Sequence, residues 1–188
     1  MHDSSHHRRH AGAMRIVGGK FAGRDLTSPN DFRVRPTGEL VRAAMLDRLA
    51  NVLTGARILD LFAGTGALGL EALSRGAATA DFVETRASSL HALKANIGLL
   101  RVRDRTRVFK KDALPFAGAL REGSYHIAFV DPPYESRMLD RVIEAWQLTR
   151  FSEILVAEHA TSHTLPPGAE LERFGDTSVS FYGVHAAN

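Results

Sequence analysis

No cysteine occurs among the 188 residues, which excludes a disulfide framework, a zinc ribbon, an iron–sulfur cluster and a thiol nucleophile. No apolar run approaches the length of a membrane span, and no apolar core of a secretory signal lies near the N-terminus. A cytoplasmic protein with no membrane attachment is the expectation. Neither sign of charge dominates, with 24 Lys+Arg against 21 Asp+Glu, yet the distribution is uneven. Residues 1–57 hold ten basic and five acidic side chains, whereas the remainder is slightly acidic. Of the 24 basic residues 20 are Arg, whose planar fork suits phosphate and base edges better than the point charge of Lys. A basic N-terminal third on a near-neutral body suggests a polyanion docking at one end. Composition alone fits ordinary solvated charge equally well.

The length fits one domain able to bury its own core. Residues 1–13, MHDSSHHRRHAGA, carry four of the nine histidines and no apolar pattern. They read as a disordered natural arm or an added tag, and nothing orders their histidines into a metal site. In 14–26, Ile16-Val17 and Lys20-Phe21 flank Gly18-Gly19 and predict a β-hairpin. Residues 27–38 read as loop, and 39–51 as a helix with Leu40, Val41, Ala44, Met45 and Leu49 on its apolar face and Arg42 and Arg48 elsewhere. From residue 56 strands alternate with helices: strands 57–62, 79–84, 107–112, 125–130 and 153–158, and helices up to 75, 86–100, 113–121 and 136–149. That rhythm predicts an α/β fold with a mainly parallel sheet and right-handed crossovers. Residues 170–174 and 178–185, joined by Gly175-Asp176, read as a terminal hairpin at the sheet edge.

Ligands of open α/β sheets bind beyond the carboxyl ends of the strands, so the residues that follow each strand are the candidates. After the first comes Asp60-Leu-Phe62-Ala-Gly64-Thr-Gly66-Ala-Leu-Gly69, a G-x-G-x-x-G that opens a helix. Its glycines permit a tight turn and close approach of a ligand to backbone. Asp60 lies where a ligand's positive charge could sit, or it caps the turn's own amides. Glu84, after the second strand, could accept from both hydroxyls of a ribose. Asp112-Ala113, after the third, could read an adenine amine and ring, or Asp112 could simply cap the next helix.

The fourth strand runs into Asp131-Pro132-Pro133-Tyr134. Two prolines hold Asp131 and Pro132 extended and supply no N–H to occupy nearby carbonyls. A carboxylate and a carbonyl of this segment can then accept both hydrogens of one planar amine, favouring the pyramidal geometry it needs for attack. Tyr134 offers a face on which a base can stack. In isolation this tetrapeptide is an ordinary Pro-rich turn. After the fourth strand of this domain it reads as a site.

DPPY at 131–134, together with DLFAGTGALGLEALSRGA at 60–77, resembles the class I S-adenosylmethionine-dependent amino-methyltransferases. More narrowly, the chain is similar to the bacterial 16S ribosomal RNA (guanine-N2)-methyltransferases of the type acting on guanine 966, from MRIVGG (14–19) through RPT (35–37) to GDT (175–177). The resemblance implies a Rossmann-like, mainly parallel seven-stranded sheet with an antiparallel C-terminal strand and a small N-terminal hairpin. It implies a methyltransferase domain at 56–188 and an RNA-facing extension at 14–55. Asp60, Phe62, Gly64 and Gly66 would cradle the methionine end of S-adenosylmethionine, Glu84 its ribose, and Asp112 and Ala113 its adenine. Asp131, Pro132, Pro133 and Tyr134 would position the target amine, and Arg35, Pro36 and Thr37 would pack beside the cofactor. Gly38-Glu39 and Arg42-Ala43 stand where that family often has Thr-Asp and Arg-Glu.

For RNA the expected contacts are Arg15, Lys20, Arg24, Arg33, Arg35 and Arg42, with the basic stretch 101–111 as a second candidate. The expected partner is 16S ribosomal RNA, free or within a small-subunit particle, with no obligate protein partner and no metal. The competing readings are adenine-N6 methylation of DNA or RNA, a nicotinamide-dependent oxidoreductase, and a non-catalytic RNA-binding module.

Overall fold

The computed structural model describes residues 14–29, 38–133 and 137–184. The arm 1–13, Arg33, Arg35, Pro36, Thr37 and Tyr134 lie outside them. Among the described residues, β3 (Arg57–Leu61), β4 (Thr79–Val83), β5 (Thr106–Phe109), β6 (Tyr125–Val130), β7 (Ser152–Ala160), β8 (Ala169–Phe174) and β9 (Thr177–Tyr182) form one sheet in the order β5-β4-β3-β6-β7-β9-β8. The pairings from β5 through β7 are parallel, and β9 enters antiparallel between β7 and β8. This is the Rossmann-like, mainly parallel seven-stranded sheet with an antiparallel C-terminal strand that the resemblance implies. β9 is buried throughout while β8 alternates, as an inner and an edge strand should.

Alternating strand residues feed two cores, one on each face. On one side Ile58, Phe82, Ile127 and Phe129 meet α1 (Glu39–Arg48), α2 (Ala50–Leu53), α3 (Ala67–Ser74) and α4 (Ala87–Leu100). On the other, Leu59, Leu61, Val83 and Leu155 meet α5 (Ala113–Gly118) and α6 (Met138–Thr149). Asp60, one pleat from Leu59 and Leu61, therefore points toward α3. No helix among the described residues is long and apolar enough to cross a membrane.

The N-terminal segment departs from the local reading. Its paired strands are β1 (Met14–Arg15) and β2 (Asp25–Leu26), and Gly18-Gly19 leads into a 3-10 turn at Gly19–Phe21 rather than forming a two-residue hairpin turn. The cause is distant in sequence. The buried Glu71 carboxylate on α3 accepts from the Val17 and Gly18 amides at 3.1 and 2.9 Å, and Ser74 Oγ accepts from the Phe21 amide at 2.9 Å.

The helix expected over 39–51 breaks at Leu49, and its buried stripe is Arg42, Met45, Leu46, Leu49 and Leu53, with Leu40 76% exposed. Arg42 is thus a correction. It is fully buried, its Nε donates to Glu71 Oε2 at 2.9 Å, and Nη2 donates to the Arg15 carbonyl. It is unavailable to RNA. Shorter differences concern ends: β5 stops at Phe109 because the next residues turn to cap α5, and β7 runs on to Ala160 because β9 pairs with it that far.

Candidate active site

Strand order reverses between β3 and β6, since β4 and β5 lie to one side and β7 to the other. In open α/β sheets that switch point opens the crevice in which ligands bind. Leu61 sits level with Val130 and with Val83, and Val83 with Phe109. The residues that leave these strands, Phe62, Glu84 and Asp131, therefore emerge side by side. Phe62, Glu84, Asp112, Ala113, Pro133 and Met138 help to line one cleft of about 170 Å³.

The turn after β3 shows why glycine recurs. Gly66 has φ +79° at the start of α3, and a Cβ there would run into Leu93 Cδ1. A Cβ on Gly69 would lie 2.5 Å from Phe82 Cε1, so this glycine lets α3 lie tight against the sheet. Gly64 differs: it has φ +55°, and the nearest atom to a Cβ would be the Phe62 carbonyl at 4.0 Å, leaving open space. Phe62 itself takes φ +60°, a left-handed conformation rare outside glycine, and such outliers concentrate at ligand sites.

Three carboxylates, Asp60, Glu84 and Asp131, converge around the turn. Asp60 is buried and accepts from the Gly69 amide at 3.0 Å. Burial pushes its carboxyl well above the ordinary range; the Gly69 hydrogen bond opposes this, and Asp131 and Glu84 raise it further. Glu84 is nearly buried, with Oε2 accepting from Gly64 N–H at 2.9 Å and Oε1 from the amides of Thr85 and Arg86 at 2.7 and 2.8 Å. A carboxylate oxygen has about two acceptor positions, and Oε2 is engaged by one amide while its residue lines the cleft. Asp112 caps α5, its Oδ1 accepting from Leu114 N–H at 3.0 Å. Asp131 is half-buried, Pro132 buried and Pro133 exposed along the cleft wall.

The remaining basic candidates separate. Arg15 is exposed and pairs with Glu39 at 3.2 Å, and Lys20 and Arg24 are exposed on the N-terminal segment. Two residues that sequence reasoning passed over tie the N-terminal segment to α3 and to the glycine turn. Glu71 binds the N-terminal segment, Arg42 and Arg75 at once. The buried Asn96 donates to the Thr65 carbonyl within the glycine turn and to the Thr27 carbonyl, each at 3.0 Å, and accepts from Thr27 N–H at 2.7 Å. The available signal was a lone acid inside the otherwise apolar ALGLEALS helix.

The family model described as Conserved hypothetical protein 95 matches residues 14–182. The chain belongs to this family. It is similar to YlbH of Bacillus subtilis, provisionally named an rRNA methyltransferase, with 32% identity over 90% of this chain and 98% of that one. It is also similar to Ribosomal RNA small subunit methyltransferase D of Escherichia coli K12, with 40% identity over 71% of this chain and 66% of the relative. Among solved structures, Escherichia coli yhhF, provisionally named a methyltransferase, superposes with a TM-score of 0.77 at 34% identity, covering 91% of this chain and 97% of that one.

Proposed function

We propose that the chain transfers a methyl group from S-adenosylmethionine to the exocyclic N2 amine of a guanine in 16S ribosomal RNA. One observation carries the reading: the glycine turn after β3 and the Asp131-Pro132-Pro133 corner after β6 leave adjacent parallel strands at the switch point, and Phe62 from the first and Pro133 from the second line the same cleft. The names of the family's relatives supply the RNA class.

The residues present fit the donor. Gly64 leaves backbone open to a ligand, and Asp60 is a buried acid whose carboxyl a nearby cation would ionise. Glu84 retains an acceptor position for a ribose, and Asp112-Ala113 close the far wall for a ring. When bound, S-adenosylmethionine supplies a methyl group already activated on a sulfonium, so the protein's share is alignment and exclusion of water. In this reading the Asp131 carboxylate and the adjacent carbonyl accept the two amine hydrogens and turn the nitrogen lone pair toward the donor side, and the proton that the nitrogen sheds as it takes the methyl group leaves through the hydrogen bond to Asp131. Tyr134 would offer the base a face to stack on. A base must leave its stack to reach the corner, which favours a loop or partly assembled RNA over a duplex.

Asp131→Ala should lower methyl transfer to unmodified small-subunit RNA at least about 100-fold while leaving S-adenosylhomocysteine binding intact. Near wild-type turnover in that variant would overturn the role of Asp131. S-adenosylhomocysteine should raise the melting temperature and NAD should not; the reverse result would restore the oxidoreductase reading.

A further inference from the structure

The two basic stretches, separate in sequence, meet in space. Lys20 and Arg24 from the N-terminal segment and Arg101 and Arg105 from the α4–β5 connection line one groove of about 640 Å³. One acid, Asp104, shares it and forms no ion pair among the described residues. Arg24 and Arg101 have no side-chain hydrogen-bond or ion-pair partner among the described residues, and Arg105 gives a single long bond of 3.4 Å to the Ala77 carbonyl. An unneutralised cluster of this kind concentrates positive potential inside a concave surface.

Arg101 adds a second observation. It closes α4 at φ +56°, with its amide donating to the Gly98 carbonyl at 3.1 Å. Glycine is the least strained residue at such a helix end. The chain instead keeps an arginine there, and its side chain lines the groove.

The groove and the candidate active site lie at opposite ends of the sheet. Arg105 immediately precedes β5, and the turn bearing Lys20 is tied to Ser74 at the end of α3, where the strands begin. The cleft opens where the strands finish, four or five residues away, or roughly 15 Å. A folded RNA covers that distance and a single nucleotide does not.

We propose that this groove grips the sugar–phosphate backbone of the RNA substrate at a point remote from the reacting base. The proposal rests on the RNA methyltransferase reading above and adds a second point of attachment, which fixes orientation on a folded RNA. Arginine forks toward phosphate oxygens give affinity and register without reading sequence.

The test is titration of the full chain with an unmodified small-subunit ribosomal RNA transcript over a range of salt, using Arg24→Ala, Arg101→Gly and the pair together. Arg101→Gly relaxes the backbone and should melt no earlier than wild type, so its binding loss is not a folding loss. Each single variant should reduce the magnitude of the salt slope by about one, and the double variant should bind about tenfold more weakly. Arg173→Ala, an equal charge change on the distant β8 edge, should bind as wild type. Unchanged slopes in the groove variants, or an equal loss in Arg173→Ala, would overturn the groove. So would competition by polyglutamate as effective as that by RNA, which would make the partner an acidic polypeptide. A wild-type chain that binds RNA through the groove yet transfers no methyl group would instead overturn the function and leave the groove standing.

Discussion

Asp60 carries a proton-linked signature that follows from its burial. The folded chain holds its proton more tightly than the unfolded chain, so ligand-free stability falls as pH rises from about 4 through the raised value. A bound α-ammonium favours the ionised form, so affinity for S-adenosylhomocysteine should rise with pH across the same window. Calorimetry should show that rise in wild type and a weaker, flatter profile in Asp60→Asn; identical profiles would remove Asp60 from the ligand's surroundings. Glu71 and Arg42 form the other decisive residue pair, both fully buried. Glu71→Ala strands a buried guanidinium and should cost about 3–5 kcal/mol in urea unfolding. Adding Arg42→Met should recover only part of it, because the Val17 and Gly18 amides also lose their acceptor. Hydrogen exchange at those two amides should quicken in the single variant.

At the scale of elements, the glycine turn separates two uses of the same residue. Gly69→Ala raises helix propensity, yet its Cβ would lie 2.5 Å from the Phe82 ring, so the variant should be destabilised by about 1–3 kcal/mol in urea titration. Gly64→Ala meets open space and bears only the conformational strain of φ +55°, so its loss should fall chiefly on cofactor affinity. The βαβ elements were readable from period and punctuation because each strand and helix makes its own core face. The N-terminal segment was not, since a Gly-Gly pair signals a two-residue turn locally while Glu71, more than fifty residues on, captures its amides. α1 failed for the same reason: apolar periodicity placed Leu40 inside and Arg42 outside, and a buried acid on α3 reversed them.

For the whole molecule, the candidate site was legible because its residues follow strands, and the parallel sheet carries strand ends to one edge. Asp60, Glu84, Asp112 and Asp131 could be named from that rule alone; in the structure Asp131 and Glu84 stand near enough to Asp60 to raise its proton affinity, and Glu84 and Asp112 line one cleft. What sequence could not display is the pairing of remote parts: Asn96 joining the glycine turn to Thr27, and residues 20–24 meeting 101–105. Such contacts depend on helix packing, which leaves no local period. The most direct measurement incubates the wild-type chain and Asp131→Ala with labelled S-adenosylmethionine and unmodified small-subunit particles, then digests the RNA and identifies the methylated nucleoside by mass spectrometry. N2-methylguanosine from wild type, and none from a variant that still binds S-adenosylhomocysteine, is the predicted result. No methylated nucleoside, methylation at adenine N6, or an equal yield from Asp131→Ala would contradict it.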